Sequence, residues 1–220
     1  MYNNVISYWA KLKSGNENKI VNILYKYLYT QFSNGTINNP WFAFINRILN
    51  ISGLSNIWRE QGIANEKWIT NAVKQSLRDQ FIQTWSSDIF NSSKGTIYRI
   101  FKTIFCLETH LEILPVKLRS LFLKFRTTNH RLPVETGRWF SIPYNERFCV
   151  LCNDNKIADE YHFLLECSAL STIRKEFLQQ KYCSRPNTVK FDEIMSTSNI
   201  KTLKKLCIFI SKIYEKVCSP

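Results

Sequence analysis

The chain has 220 residues, 45% of them hydrophobic and 14% aromatic, with a formal net charge of +13. This apolar content excludes a globally disordered protein, and the length is enough to bury a core. The charge favours a polyanionic partner, nucleic acid first and an anionic membrane surface second, although a basic surface can also serve solubility alone.

The number of cysteines and the first ten residues indicate the cellular compartment. Seven cysteines are an odd number, which suits a reducing compartment better than a secreted disulfide framework. Met1 to Ala10 lacks the charged and apolar segments of a signal peptide. Apolar runs such as Leu206 to Ile210 are far too short to cross a bilayer. We therefore expect an intracellular protein of the nucleus or cytoplasm, without a membrane partner.

Helical spacing of apolar residues predicts three helices in the first part of the chain. The first follows Asn16 as a cap and has an apolar face between Ile20 and Phe32. The second begins at Pro40, because proline suits the first helical position. The third opens near Asn65 and has apolar residues at every fourth position from Ile69 to Trp85. The core stripe predicted for the second helix is Trp41, Phe44, Ile45, Ile48 and Leu49.

Residues Thr96 to Glu112 fit either a helix or a strand, because β-branched residues are frequent there. Cys106 and His110 lie four residues apart, but no oxyanion donor or orienting partner is evident for a nucleophilic site. A further helix is predicted after Pro115, followed by an extended arm from Thr127 to Trp139.

Two helices are predicted near the carboxyl end of the chain. Ser168 is a candidate cap for a helix through Thr172 to Gln180, and an amphipathic helix is predicted from Ile200 to Val217.

The most specific pattern is C-x2-C-x9-H-x4-C, which is the spacing of a closed four-ligand zinc site. Four protein ligands leave no open position for a metal-bound water, so the pattern predicts a structural Zn²⁺ ion and no metal catalysis. The alternative is a small core of buried cysteines with one satisfied histidine. The predicted ligands are Cys149, Cys152, His162 and Cys167.

Charge is unevenly distributed around this pattern. Leu114 to Phe148 has a net charge of +5, from seven Lys or Arg and two Glu, whereas Cys149 to Cys167 has −3, from one Lys and four Asp or Glu. Any nucleic-acid contacts are therefore expected from the helix and arm before the Cys–His segment. The alternative is a solvated basic face with the tryptophan packed inside. The predicted contact residues are Lys124, Arg126, His130, Arg131, Arg138 and Trp139.

The run RTTNHRLPVETGRW followed by CVLCN and DEYHFLLECS resembles the C-terminal region of non-LTR (LINE-type) retrotransposon polyproteins. In that family a helical region and a zinc-binding CCHC segment follow the reverse transcriptase. The stretches ISYWAKLKSGNENKIVNILYKYLY and AVKQSLRDQFIQTWSSDIFNSSKGTIYRIFK are similar to the post-polymerase part, so the resemblance covers nearly the whole chain.

The resemblance implies that Cys149, Cys152, His162 and Cys167 are metal ligands. It further implies a tail that helps to bind template RNA or target DNA during target-primed reverse transcription, beside the remainder of a polyprotein. No two aspartates are adjacent in the chain, so the paired carboxylates of a polymerase are missing, and no endonuclease motif is evident. We therefore expect a truncated or degenerate copy that is not an enzyme.

These observations together predict a mainly α-helical fold. We expect a bundle-like helical region (1–112), a basic helix and arm (113–147), a CCHC zinc-binding module (148–182) and a C-terminal tail with an amphipathic helix (183–220). The predicted function is nucleic-acid binding by a zinc-stabilised fragment of a retrotransposon reverse transcriptase. The alternative is a zinc-containing module whose Cys–His segment and C-terminal helix bind another protein.

Overall fold

The structure is a computed structural model that describes residues 2–62 and 65–218. The predicted mainly α-helical fold is confirmed, since the described residues form twelve α-helices and no β-strand beyond one isolated bridge. Among these residues, no helix is both long and apolar enough to span a bilayer. The chain divides into two compact units, Met1–Thr84 and Trp85–Pro220. The finer four-segment division stays a prediction, and its first and last residues, Met1 and Pro220, lie outside the described ranges.

The first unit contains four helices and most of a fifth. Helix α3 begins at Pro40 as predicted, because the Asn39 side chain accepts hydrogen bonds from the amides of Trp41 and Phe42 at 3.0 and 3.3 Å. Helix α5 continues into the second unit. The bounds are α1 (Tyr2–Ser14), α2 (Ile20–Ser33), α3 (Pro40–Ile51), α4 (Ser55–Glu60) and α5 (Glu66–Asn91).

Aromatic side chains dominate the core of the first unit. The indole N–H of Trp9 donates to the Tyr25 hydroxyl at 2.8 Å, and that hydroxyl donates to Gln61 at 2.6 Å. On α3, Phe42 is buried, whereas the predicted core residues Trp41 and Phe44 are half-buried. The other buried members of the cluster include Ile6, Ile45, Ile48, Leu49, Trp58, Ile69 and Val73.

Helix α2 differs from its predicted packing. It begins at Ile20, after Lys19, so the predicted cap Asn16 is wrong, and only Asn22 and Tyr25 are buried along its length. Its apolar face is largely exposed, with Ile20 at 74% and Tyr27 at 62%. Helical periodicity gives the position of an apolar face without indicating which surface covers it.

The second unit contains the remaining helices around a single apolar cluster. Helix α12 packs against α8 and α10. Its buried residues are Leu203, Leu206, Cys207, Phe209, Ile210 and Ile213, whereas Ile208 is 42% exposed. The bounds are α6 (Gly95–Phe101), α7 (His110–Ile113), α8 (Val116–Arg126), α9 (Pro133–Trp139), α10 (Ser171–Phe177), α11 (Thr188–Met195) and α12 (Ile200–Cys218).

Two parts of this unit bear on the sequence predictions. One decides between helix and strand, and the other contradicts a predicted extended arm. Gly95–Phe101 is helical, which resolves the choice between helix and strand for that stretch. The arm predicted as extended from Thr127 to Trp139 is wrong over its second half, because Pro133–Trp139 forms α9. Pro133 lies at the start of that helix, where its missing N–H costs nothing.

Candidate metal centre and nucleic-acid interface

The four predicted ligands lie together in the second unit. Their donor atoms all lie within 4.8 Å of one another. The Sγ atoms of Cys149 and Cys167 are 3.9 Å apart, and Cys152 Sγ lies 3.4 Å from His162 Nε2. A tetrahedral ion with bonds of about 2.3 Å would hold its donor atoms about 3.8 Å apart. The cluster could therefore hold a metal ion with little movement of its side chains.

A short β-bridge positions the first two cysteines. Phe148 and Ile157 form an antiparallel bridge, and the Cys149 amide donates to the Lys156 carbonyl at 2.9 Å. Between them the chain turns back, and Asn155 adopts a positive φ of 49°, which asparagine tolerates better than most residues. The Leu151 amide also points at Cys149 Sγ, 3.4 Å away. This amide would stabilise a thiolate at that position.

A π-helical turn, His162–Glu166, positions the other two ligands. The Cys167 amide donates to the His162 carbonyl at 2.8 Å, which is the five-residue step of a π-helix. Asp159 caps the turn, since its carboxylate accepts the His162 amide at 2.8 Å. The wider π turn brings residues five apart onto one side, which explains the H-x4-C spacing.

Two side chains support this turn from outside the ligand set. The guanidinium of Arg174 is buried and donates to the carbonyls of Leu164 and Cys167 at 2.8 and 2.9 Å. The Glu166 carboxylate lies 3.5 Å from His162 Nδ1, the ring nitrogen that faces away from the sulfurs. A carboxylate that accepts the second ring N–H of a metal-binding imidazole orients the ring. Here the two groups are in contact without a hydrogen bond. Sequence analysis missed Arg174, because its neighbours Thr172, Lys175 and Glu176 are polar and nothing in the local sequence indicates a buried cation.

The electrostatics of the cluster favour a cation at its centre. Burial and then the charges of Cys149 and Cys152 raise the pKa of the Cys167 thiol to about 12. Burial lowers the pKa of His162, which keeps its imidazole neutral, as a metal ligand must be. A divalent ion would offset the mutual repulsion of the thiolates. The donor set and its environment therefore fit a metal ion.

Two of the six residues predicted to contact nucleic acid are not on the surface, and the first is Arg126. It is fully buried, bonded to the Glu108 carboxylate and to the Met195 carbonyl, with its guanidinium 4.2 Å from the centre of the Phe101 ring. Charge alone did not distinguish this buried cation from a solvated one. Arg126 is therefore withdrawn as a contact residue.

His130 is the second correction. Its Nε2 atom lies 2.7 Å from the Glu160 carboxylate, and both side chains are buried. A buried carboxylate requires a hydrogen-bond donor or a countercharge, and His130 supplies it. Its ring also packs between Phe125 and Tyr214, with both ring centres 6.0 Å away. The arm therefore turns this histidine inward, toward the Cys–His segment.

The other four predicted residues reach the surface to different extents. Lys124 and Arg131 are exposed, and the Trp139 side chain is 58% exposed. These three line one surface groove. Arg138 is only partly exposed and forms an ion pair with the buried Glu135 at 2.8 Å. The structure thus brings half of the predicted set together and ties Arg138 to a neighbouring carboxylate.

Comparisons with known proteins add no relative to this picture. No protein-family model, curated protein or solved structure matches the chain.

Proposed function

We propose that this protein is a zinc-stabilised nucleic-acid-binding module. The observation that carries the proposal is the convergence of three sulfurs and one imidazole within 4.8 Å in the second unit. Zn²⁺ is the ion that best suits a compact set of three thiolates and one histidine. Since all four positions would be filled by protein, the ion would stabilise the fold and would not activate water.

Retrotransposon origin is part of the same proposal. The motifs described above resemble the C-terminal region of LINE-type polyproteins, where such a segment follows the reverse transcriptase. We propose that the chain derives from such an element, is not itself an enzyme and acts in the nucleus or cytoplasm, beside the remainder of such a polyprotein. The absence of adjacent aspartates in the sequence supports the non-catalytic part.

Unpaired cations support a polyanionic partner, either RNA or DNA. In the basic helix and arm, Lys117, Lys124 and Arg131 have no hydrogen-bonded or ion-paired side-chain partner among the described residues. Such cations can release counterions from a phosphate backbone. The acidic Cys–His segment would position the helix and arm without contacting phosphates itself.

Metal analysis followed by binding measurements tests the proposal. We expect one zinc ion per chain after purification without added metal, and loss of structure on chelation. With two or three phosphate contacts, affinity for single-stranded RNA should fall roughly tenfold between about 50 and 200 mM salt. A metal-free chain with an unchanged melting curve would contradict the zinc assignment. Absence of binding at the lower salt would contradict nucleic acid as the partner.

A second candidate function is protein binding, and the exposed face of α2 favours it. Ile20, Ile23, Leu24 and Tyr27 are all more than half exposed on that face. The C-terminal helix is not available for this role, because the apolar side of α12 is buried in the second unit. Binding through α2 would respond little to salt, unlike phosphate contacts. Ile23→Asp would abolish such binding and leave nucleic-acid affinity unchanged.

A further inference from the structure

A groove of about 470 Å³ opens on the surface of the second unit. Its volume lies within the range of roughly 300–1,000 Å³ that small-molecule sites occupy. The ends of α8, α9 and α12 and the loop between α8 and α9 contribute its walls. Its lining includes Lys124, Asn129, His130, Arg131, Trp139 and Tyr214.

The groove is positively charged. Lys124 and Arg131 line it, and neither side chain has an ion-paired partner within the described ranges. None of the described residues that line the groove is acidic. By contrast, Arg126 and Arg138 on the neighbouring helices are bonded to carboxylates. Two of the unpaired cations of this region therefore line the groove.

Trp139 lines the same groove, and a hydrogen bond fixes one edge of its aromatic ring. Its indole N–H donates to the Glu135 carboxylate at 3.3 Å, while 58% of the side chain is exposed. Glu135 is itself buried and fixed by Lys94 at 2.9 Å and Arg138 at 2.8 Å. A ring held at one edge loses little conformational freedom when a ligand stacks on it. This arrangement suits a planar ligand.

Two further polar residues, Asn129 and Tyr214, line the same groove. The Tyr214 hydroxyl is buried and has no hydrogen-bond partner. The Asn129 amide is exposed, and its side chain is bonded to no other described residue. His130 keeps this part of the groove in place through its bond to Glu160 and its contact with Tyr214. An amide and a hydroxyl can bond to the edge of a nucleobase.

We propose that this groove binds one unpaired nucleotide of a single-stranded nucleic acid. The base stacks on Trp139, with Asn129 and Tyr214 at its edge, and Lys124 and Arg131 hold the flanking phosphates. A duplex is excluded, since the faces of its bases are already stacked on their neighbours. The inference rests on the proposed function and adds to it the class of strand and the point of attachment.

The test compares two exposed tryptophans in the full, zinc-loaded chain. Trp68 in the first unit is 55% exposed, close to the 58% of Trp139, and provides a matched control. Trp139→Ala should weaken binding of a 12-nucleotide single-stranded RNA roughly 5- to 100-fold, whereas Trp139→Phe should retain most of the affinity. Trp68→Ala should bind like the wild type. Equal affinity of Trp139→Ala and Trp68→Ala would overturn the inference.

The cations give a second readout that does not depend on the aromatic ring. Lys124→Ala and Arg131→Ala should each lower the slope of log affinity against log salt by about 1. Lys74→Ala, an exposed lysine of α5 in the first unit, should leave the affinity for the single strand nearly unchanged. Melting curves show whether each variant is folded, and Trp139→Phe is the reference if Trp139→Ala melts early.

The outcomes separate the two proposals. If the wild type binds neither single-stranded nor duplex RNA or DNA at low salt, the proposed function fails. If it binds but Trp139→Ala and the cation variants bind equally well, only the groove is wrong. If the matching duplex binds as tightly as the single strand, the proposed preference for an unpaired nucleotide is wrong.

Discussion

Two neighbouring regions of the second unit use their charges in opposite ways. The Cys–His segment, Cys149–Cys167, has a net charge of −3, and its acidic side chains are engaged within the fold. Asp159 caps the π turn, Glu160 bonds to His130 and Glu166 lies beside the ligand His162. These carboxylates therefore hold residues of the site in place and do not form a charged binding surface.

The basic helix and arm, Leu114–Phe148, divide their seven cations between two roles. Arg126 is buried against Glu108, and Arg147 donates to the Val134 carbonyl at 2.8 Å. Lys124 and Arg131 remain free at the groove. A net charge of +5 therefore overstates the number of cations available to a ligand, because a count does not separate a solvated side chain from one that holds the fold.

Loss of a metal ligand is the strongest test of this comparison. Structural zinc supplies on the order of 10 kcal/mol of apparent binding free energy in small domains, so Cys152→Ser should lose the metal and unfold the Cys–His segment. Zinc content and a urea titration measure both effects. Cys106→Ser, an exposed cysteine outside the cluster, is the matched control and should behave as the wild type. Full metal content in Cys152→Ser would show that this residue is not a ligand.

The contrast between buried and free cations gives the next largest effect. Arg126→Met should lower the free energy of unfolding by about 3 kcal/mol, because Glu108 and the Met195 carbonyl each lose a buried donor. Lys124→Met, two residues earlier on the same helix, should change it by no more than about 0.5 kcal/mol. Urea titrations of both variants decide the point. Similar losses would mean that the two cations are not used differently.

A smaller effect concerns pH. Burial, followed by the charge of Arg126, lowers the pKa of His110 to about 4. The unfolded chain would take up this proton near pH 6.5, so folding stability should fall as the pH drops from about 6.5 to 4, by about 1 kcal/mol per pH unit. His110→Gln lacks this proton uptake.

The unfolding free energies of the wild type and of His110→Gln should therefore approach each other as the pH falls from about 6.5 to 4. Effects of acid on the metal centre are common to both proteins and cancel in the difference. A constant difference would mean that His110 is not held neutral by the fold.

Local patterns were sufficient for the Cys–His cluster and for about half of the helices. The knuckle and the H-x4-C step are short-range features, so spacing alone predicted the four residues that converge. Helix α12 followed from apolar periodicity, and the start of α3 followed from Pro40 at the first helical position. These features depend on residues that are close in the chain.

Features that depend on distant residues could not be predicted in this way. Arg126 is buried because Glu108 and Met195, 18 and 69 residues away, accept its hydrogen bonds. His130 is buried because Glu160 lies opposite it. The groove likewise requires Tyr214 from α12 to meet Trp139 from α9, and neither position suggests the other in the sequence.

His130 gives the two sites a common support. Its imidazole bonds to Glu160, two residues before the predicted ligand His162. Its ring also contacts Tyr214, and both residues line the groove. A metal ion that fixes the π turn would also fix the carboxylate that holds this ring. If a bound metal ion raises the affinity of the groove for its ligand by some factor, thermodynamic reciprocity requires the ligand to raise the affinity for the metal ion by the same factor.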